Sequence, residues 1–172
     1  MLRKILLALL GLVALLVAAG AIFVASRQHL KFDAPFPSVA ASTDTAVIAR
    51  GRYIVRDITN CAQCHGDPAQ HEALVAGADV PLSGGFTFDI PPGKIRVRNI
   101  TPDEETGIGK WSQEAIVEVL KSGLLPDGDT VGGAMTDVVN HGTSFLTDED
   151  LKAIAVYLKS VKPIRNKVEK KK

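Results

Sequence analysis

The 172-residue chain has only two cysteines, two methionines and one tryptophan. A tetrahedral zinc site needs about four Cys or His ligands, usually with a second close pair, and no second cysteine pair exists here. The two cysteines stand at 61 and 64, so a disulfide between them would close a tiny loop and remove little unfolded-state entropy. Period-two alternation is scarce, which excludes a sheet-dominated fold and removes the βαβ setting of a thioredoxin-like thiol motif. An excess of basic charge is missing too. Net charge is +1 overall, but Phe32 to Arg165 carries 12 basic and 18 acidic side chains, a body charge of −6. That balance argues against nucleic acid; it serves solubility and allows steering towards a basic docking patch.

What is present is Cys61-Ala62-Gln63-Cys64-His65. Two cysteines two residues apart, followed at once by histidine, is the spacing of covalent c-type heme attachment. Each thiol adds to one vinyl group on the porphyrin edge, and the adjacent imidazole ligates the iron. The reading is one heme c held by Cys61, Cys64 and His65.

The ligand on the opposite face decides between electron transfer and ligand chemistry. Met1 precedes the apolar amino-terminal run, so Met135 is the thioether candidate. It is read as a loop residue, with Gly132 and Gly133 before it allowing the backbone close to a flat ring. A soft, neutral thioether favours Fe(II) and raises the potential. His141 is the nearest rival, and bis-histidine ligation would lower the potential; His71 and His29 are read as ordinary surface histidines. Trp111, just before a helix, can pack on the heme and give its indole N–H to a propionate, or pack in the core with another acceptor. Asp103, Glu104 and Glu105 are read as a solvated acidic turn, with a calcium site as the alternative.

Ile5 to Ala25 carries no charge and is long enough to cross a hydrocarbon core of about 30 Å. Residues 1–25 are expected to be an uncleaved anchor; the alternative is a signal cleaved near Ala19-Gly20-Ala21. Residues 26–43, with Pro35 and Pro37, read as a tether, 44–165 as the heme domain and 166–172 as a basic tail. Thr43 or Asp44 is expected to cap a helix from Thr45 to Thr59, with Gly51 reserved for a close helix crossing. Helical periodicity fades between Gly66 and Lys110, where long loops are expected to wrap the heme; Lys94 to Ile100 alternates basic with apolar or polar residues and is expected to run as an extended loop, with a short strand as the alternative. Ser112 caps a helix to about Ser122, ended by Gly123. Thr147 caps the last, with Asp150 in a capping-box-like role and Pro163 as the stop. The expected fold is all-α, with three main helices.

Thr43 to Lys162 resembles class I c-type cytochromes. NITPDEETGIGKW, Asn99 to Trp111, is similar to a segment of membrane-bound bacterial cytochromes c associated with periplasmic dehydrogenases. GGAMTDVVNHGTSFLTDEDLKAIAVYLKSVKP resembles the end of such a domain, with Met135 matching the axial methionine. The resemblance implies a cytochrome c fold in which the first and last helices cross, putting Gly51 near Tyr157. It also implies a heme domain in the periplasm that shuttles single electrons and catalyses no bond rearrangement. The partners implied are a periplasmic dehydrogenase or quinol-oxidising complex as donor and a terminal oxidase or another cytochrome as acceptor. Many dehydrogenase cytochrome subunits carry two or three hemes, whereas one attachment motif stands here, so a stand-alone carrier is equally open. The rival class is a heme enzyme or gas sensor with an open sixth position; a heme-free redox thiol protein is the third.

Overall fold

The computed structural model describes residues 1–27, 44–90 and 93–168. The tether from residue 28 with Pro35 and Pro37, His29, the cap candidate Thr43 and the tail from residue 169 lie outside the described residues.

Helix α1, Leu2–Arg27, runs without a break, and its side chains from Met1 to Ser26 are exposed. Its 26 residues rise about 39 Å at ~1.5 Å each, more than a hydrocarbon core needs. The helix fits a membrane anchor or a signal sequence.

A second unit holds the remaining helices. Helix α2 is Thr45–Tyr53, started by the Asp44 carboxylate, which accepts from the Ala46 N–H at 2.8 Å. Short helices α3 (Ala62–His65) and α4 (His71–Val75) follow, then strands β1 (Thr87–Ile90) and β2 (Gly93–Arg96). Helix α5 spans Gln113–Ser122, α6 Ala134–His141 and α7 Asp148–Ser160. The expected caps are present: the Ser112 hydroxyl accepts from Ala115 N–H, Gly123 ends α5 with φ +80°, and the Thr147 hydroxyl accepts from Asp150 N–H. The Asp150 carboxylate does not close a capping box. It takes two hydrogen bonds from Arg50, at 2.8 and 3.1 Å, and so ties α2 to α7.

The core lies where α7 packs against both α2 and α5. Leu151, Ile154, Ala155 and Leu158 of α7 are buried with Ile54 and Val55 from the end of the α2 region and Ile116, Val117 and Leu120 of α5. Gly51 makes the first crossing possible, because a Cβ there would collide with the Ala153 carbonyl oxygen and stand 2.7 Å from Tyr157 Cβ. The expected meeting of Gly51 and Tyr157 is present.

One expectation needs correction. The domain is mostly helical but not all-α: β1 and β2 pair antiparallel, with Phe88 opposite Ile95, so the first part of Lys94 to Ile100 is the short strand given as the alternative and not the extended loop. Among the described residues of this unit α2, α5 and α7 are the three longest helices, and the shorter α3, α4 and α6 join them.

Candidate heme-attachment site

The route to Cys61 begins with a change of helical pitch. After Tyr53 the backbone widens into a π turn, Ile54–Ile58, in which Thr59 N–H donates to the Ile54 carbonyl at 2.8 Å and Cys61 N–H to Val55 at 2.9 Å. Such a turn re-aims the chain without breaking its hydrogen bonding. Asn60, with φ +46°, completes the bend, and Asn tolerates that region better than most residues.

Cys61 is the N-cap of α3, and His65 N–H donates to its carbonyl at 2.7 Å. Residues 61, 64 and 65 are then related as i, i+3 and i+4 and lie on one face of the turn. Both thiols are free. Burial pushes the Cys61 thiol above its ordinary pKa, opposed by the Thr59 hydroxyl 3.2 Å from its sulfur.

The His65 ring is fixed from outside its helix. Nδ1 stands 2.8 Å from the Arg98 carbonyl oxygen. A carbonyl only accepts, so Nδ1 carries the proton and Nε2 keeps its lone pair. Burial also pushes the imidazole below its ordinary pKa, which favours the neutral form that binds metals. The backbone is held as well, since the His65 carbonyl accepts from Gly84 N–H at 2.8 Å. Two free thiols and a neutral, oriented imidazole on one helical face are a donor set that fits a covalently attached heme.

Met135 lies in the first turn of α6 rather than in a loop. Gly133 caps that helix with φ +60°, and a Cβ on it would stand 2.5 Å from Ile95 Cδ1 of β2; Gly132 has open space around it. Met135 is half-buried against the same core as Cys61 and Trp111. Its position matches that of buried Val139, one turn on. His141 is exposed at the other end of α6, and His71 is exposed with its ring edge-on to Phe86, centroids 5.5 Å apart.

Trp111 is held through its backbone: its carbonyl accepts from Lys159 Nζ at 3.0 Å, and Lys159 also donates to Gly109 at 2.6 Å. The acidic turn gathers no metal-ligand cluster among the described residues. Asp103 instead caps its own loop, accepting from the Thr106 N–H and hydroxyl, both at 2.7 Å. Sequence reasoning missed Lys159, Gly84 and the Arg98 carbonyl. Lys159 reads as a solvated charge near a helix end, and a main-chain acceptor leaves no signature in residue type.

The chain is similar to several known proteins. The alcohol dehydrogenase (quinone) cytochrome c subunit of Gluconobacter oxydans is 38% identical over 131 residues, covering 73% of this chain and 26% of that protein. The gluconate 2-dehydrogenase cytochrome c subunit of Pantoea cypripedii is 37% identical over 125 residues, covering 70% and 27% respectively. A diheme cytochrome c-type protein of Cereibacter sphaeroides is 41% identical over 115 residues, covering 67% and 36%. The chain thus spans well under half the length of these relatives. Residues 48–162 match the cytochrome c family model, a stretch that takes in the free thiol pair, the oriented imidazole, Trp111 and Met135. On that match the chain belongs to the cytochrome c family, whose domain carries covalently bound heme c and serves electron transfer.

Proposed function

We propose that this chain is a monoheme electron carrier held at the periplasmic face of the bacterial inner membrane. Cys61 and Cys64 form the two thioethers, and His65 and Met135 are the axial ligands of the iron. Trp111 contacts a propionate through its indole N–H. A heme held by these residues would supply a one-electron couple. The protein's residues do the rest: the α3 turn sets the attachment geometry, the Arg98 carbonyl orients the imidazole, and the half-buried Met135 closes the sixth position to outside ligands. With that position closed, the protein makes and breaks no substrate bonds.

Residues 1–25 are the anchor and 26–43 the tether. A soluble periplasmic form follows if the first helix is removed as a signal. The donor is a periplasmic dehydrogenase or a quinol-oxidising complex, in keeping with relatives named as dehydrogenase cytochrome c subunits. The acceptor is a terminal oxidase or another cytochrome.

The observation that supports this reading most strongly is His65 Nδ1 bound to a main-chain oxygen while the ring shares a face with two free thiols. The test is optical and gravimetric. Intact mass of the membrane-purified protein should show one added heme, and the reduced protein should not bind CO. Prompt CO binding would overturn the carrier reading in favour of a ligand-binding or enzymatic one, and an unmodified mass would end the heme assignment.

A further inference from the structure

We propose that Asn99 and Asn166 are positioning residues: through them the segment after α7 holds the two main-chain groups that fix His65. The proposal rests on His65 being an axial ligand. Its strap, residues 164–166, lies beyond the stretch 48–162 matched by the family.

The first arm runs through Asn99, the neighbour of Arg98. Its side chain is 2% exposed. Nδ2 donates to the Ile164 carbonyl at 2.7 Å and to the Thr106 hydroxyl at 3.0 Å, while Oδ1 accepts from the Thr101 N–H at 2.9 Å and from the Thr101 hydroxyl at 2.7 Å. All four hydrogen-bonding positions of the amide are used. The strap answers in kind: Ile164 N–H donates to the Thr101 hydroxyl at 3.1 Å and Asn166 N–H to the Thr106 hydroxyl at 2.9 Å. Residue 99 is therefore locked, and with it the peptide whose oxygen receives the His65 Nδ1 proton.

The second arm runs through Asn166 itself. Its Nδ2 donates to the carbonyls of Ser83 at 3.0 Å and Gly84 at 3.2 Å. Gly84 donates to the His65 carbonyl and lies flat against the Arg98 peptide: a Cβ on it would stand 2.5 Å from the Arg98 carbonyl carbon. Only an amide of this length offers two N–H donors to adjacent carbonyls here; Asp would face them with acceptors, and Gln is one methylene too long. Ring and backbone of His65 are thus each held by a peptide that the strap immobilises.

The consequence is chemical. Donation from Nδ1 to a carbonyl makes the imidazole more basic, which favours oxidised iron. A loosened strap weakens that bond and raises the potential.

The experiment compares holoprotein carrying Asn166→Leu, Thr106→Val or Thr147→Ala with wild type. Thr106→Val removes the hydroxyl that joins Asn99 to the strap and serves if Asn166→Leu does not fold. Thr147→Ala weakens the α7 cap and is the purely structural control. Two quantities are read: the midpoint potential and the solvent exchange of the His65 Nδ1 proton by NMR. The expected result is a raised potential and at least tenfold faster exchange in the two strap variants, with both unchanged in Thr147→Ala. Wild-type values in the strap variants would overturn the proposal, as would an equal shift in Thr147→Ala. Failure of the underlying assignment shows elsewhere, in wild-type holoprotein whose His65 signals are not shifted by iron.

Discussion

Gly51 and Tyr157, 106 positions apart in the chain, meet at the α2–α7 crossing, where the second carries a Cβ and the first has no room for one. Gly51→Ala should therefore destabilise the domain although Ala is the better helix former. Overpacking costs about 1–3 kcal/mol, against a propensity gain of about 1 kcal/mol, and the rigid Ala153 carbonyl cannot step aside. Urea unfolding of the holoprotein should show a net loss of up to about 2 kcal/mol; a gain would mean that the helices separate easily.

Met135→Ala should open the sixth position, admit CO to the reduced protein and lower the potential by a large step. His141→Ala should leave both properties as they are, because that ring is exposed at the far end of α6. Redox titration and CO difference spectra of the two variants decide the ligand. The reverse pattern would assign the iron to His141.

The Arg50–Asp150 pair makes a pH prediction. Hydrogen bonding from Arg50 holds the Asp150 carboxyl below its ordinary pKa. The unfolded chain therefore takes up the proton first as pH falls. The stability from this pair is fully present above the unfolded pKa of about 4 and is lost as pH drops through the lower folded value. Wild type should outlast Asp150→Asn in thermal melts at neutral pH and lose that advantage in acid. A difference that persists below the folded value would point to packing instead of charge.

Trp111→Phe keeps a flat apolar ring on the core and removes the indole N–H. With a propionate as acceptor, the loss leaves that carboxylate more negative, so the potential should fall by a small step while stability stays close to wild type. An unchanged potential with lost stability would make Trp111 a core residue only.

The local parts of this structure are legible in the sequence. Ser112, Gly123 and Thr147 mark helix ends because capping depends on neighbours three or four residues away, and the CxxCH spacing is itself helical. Gly51 betrays the crossing because a glycine inside a helix needs a reason. The π turn at Ile54–Ile58 was hidden, since its residues read as ordinary helix and the turn bends them towards Cys61. Lys94 to Ile100 shows the alternation of a short strand, but a run this short ranks below an extended loop, and its antiparallel partner Thr87–Ile90 leaves no local signal. Asn166 reads as the first residue of the basic tail, and only the fold brings it to Ser83 and Gly84.

The oxygen that holds His65 belongs to the main chain of residue 98, while the arginine side chain of that residue is exposed. Replacing the arginine with another residue would repaint the surface and leave the acceptor in place. The electrostatic coat beside His65 can thus be retuned for a new docking partner while the hydrogen bond that orients its ring stays the same.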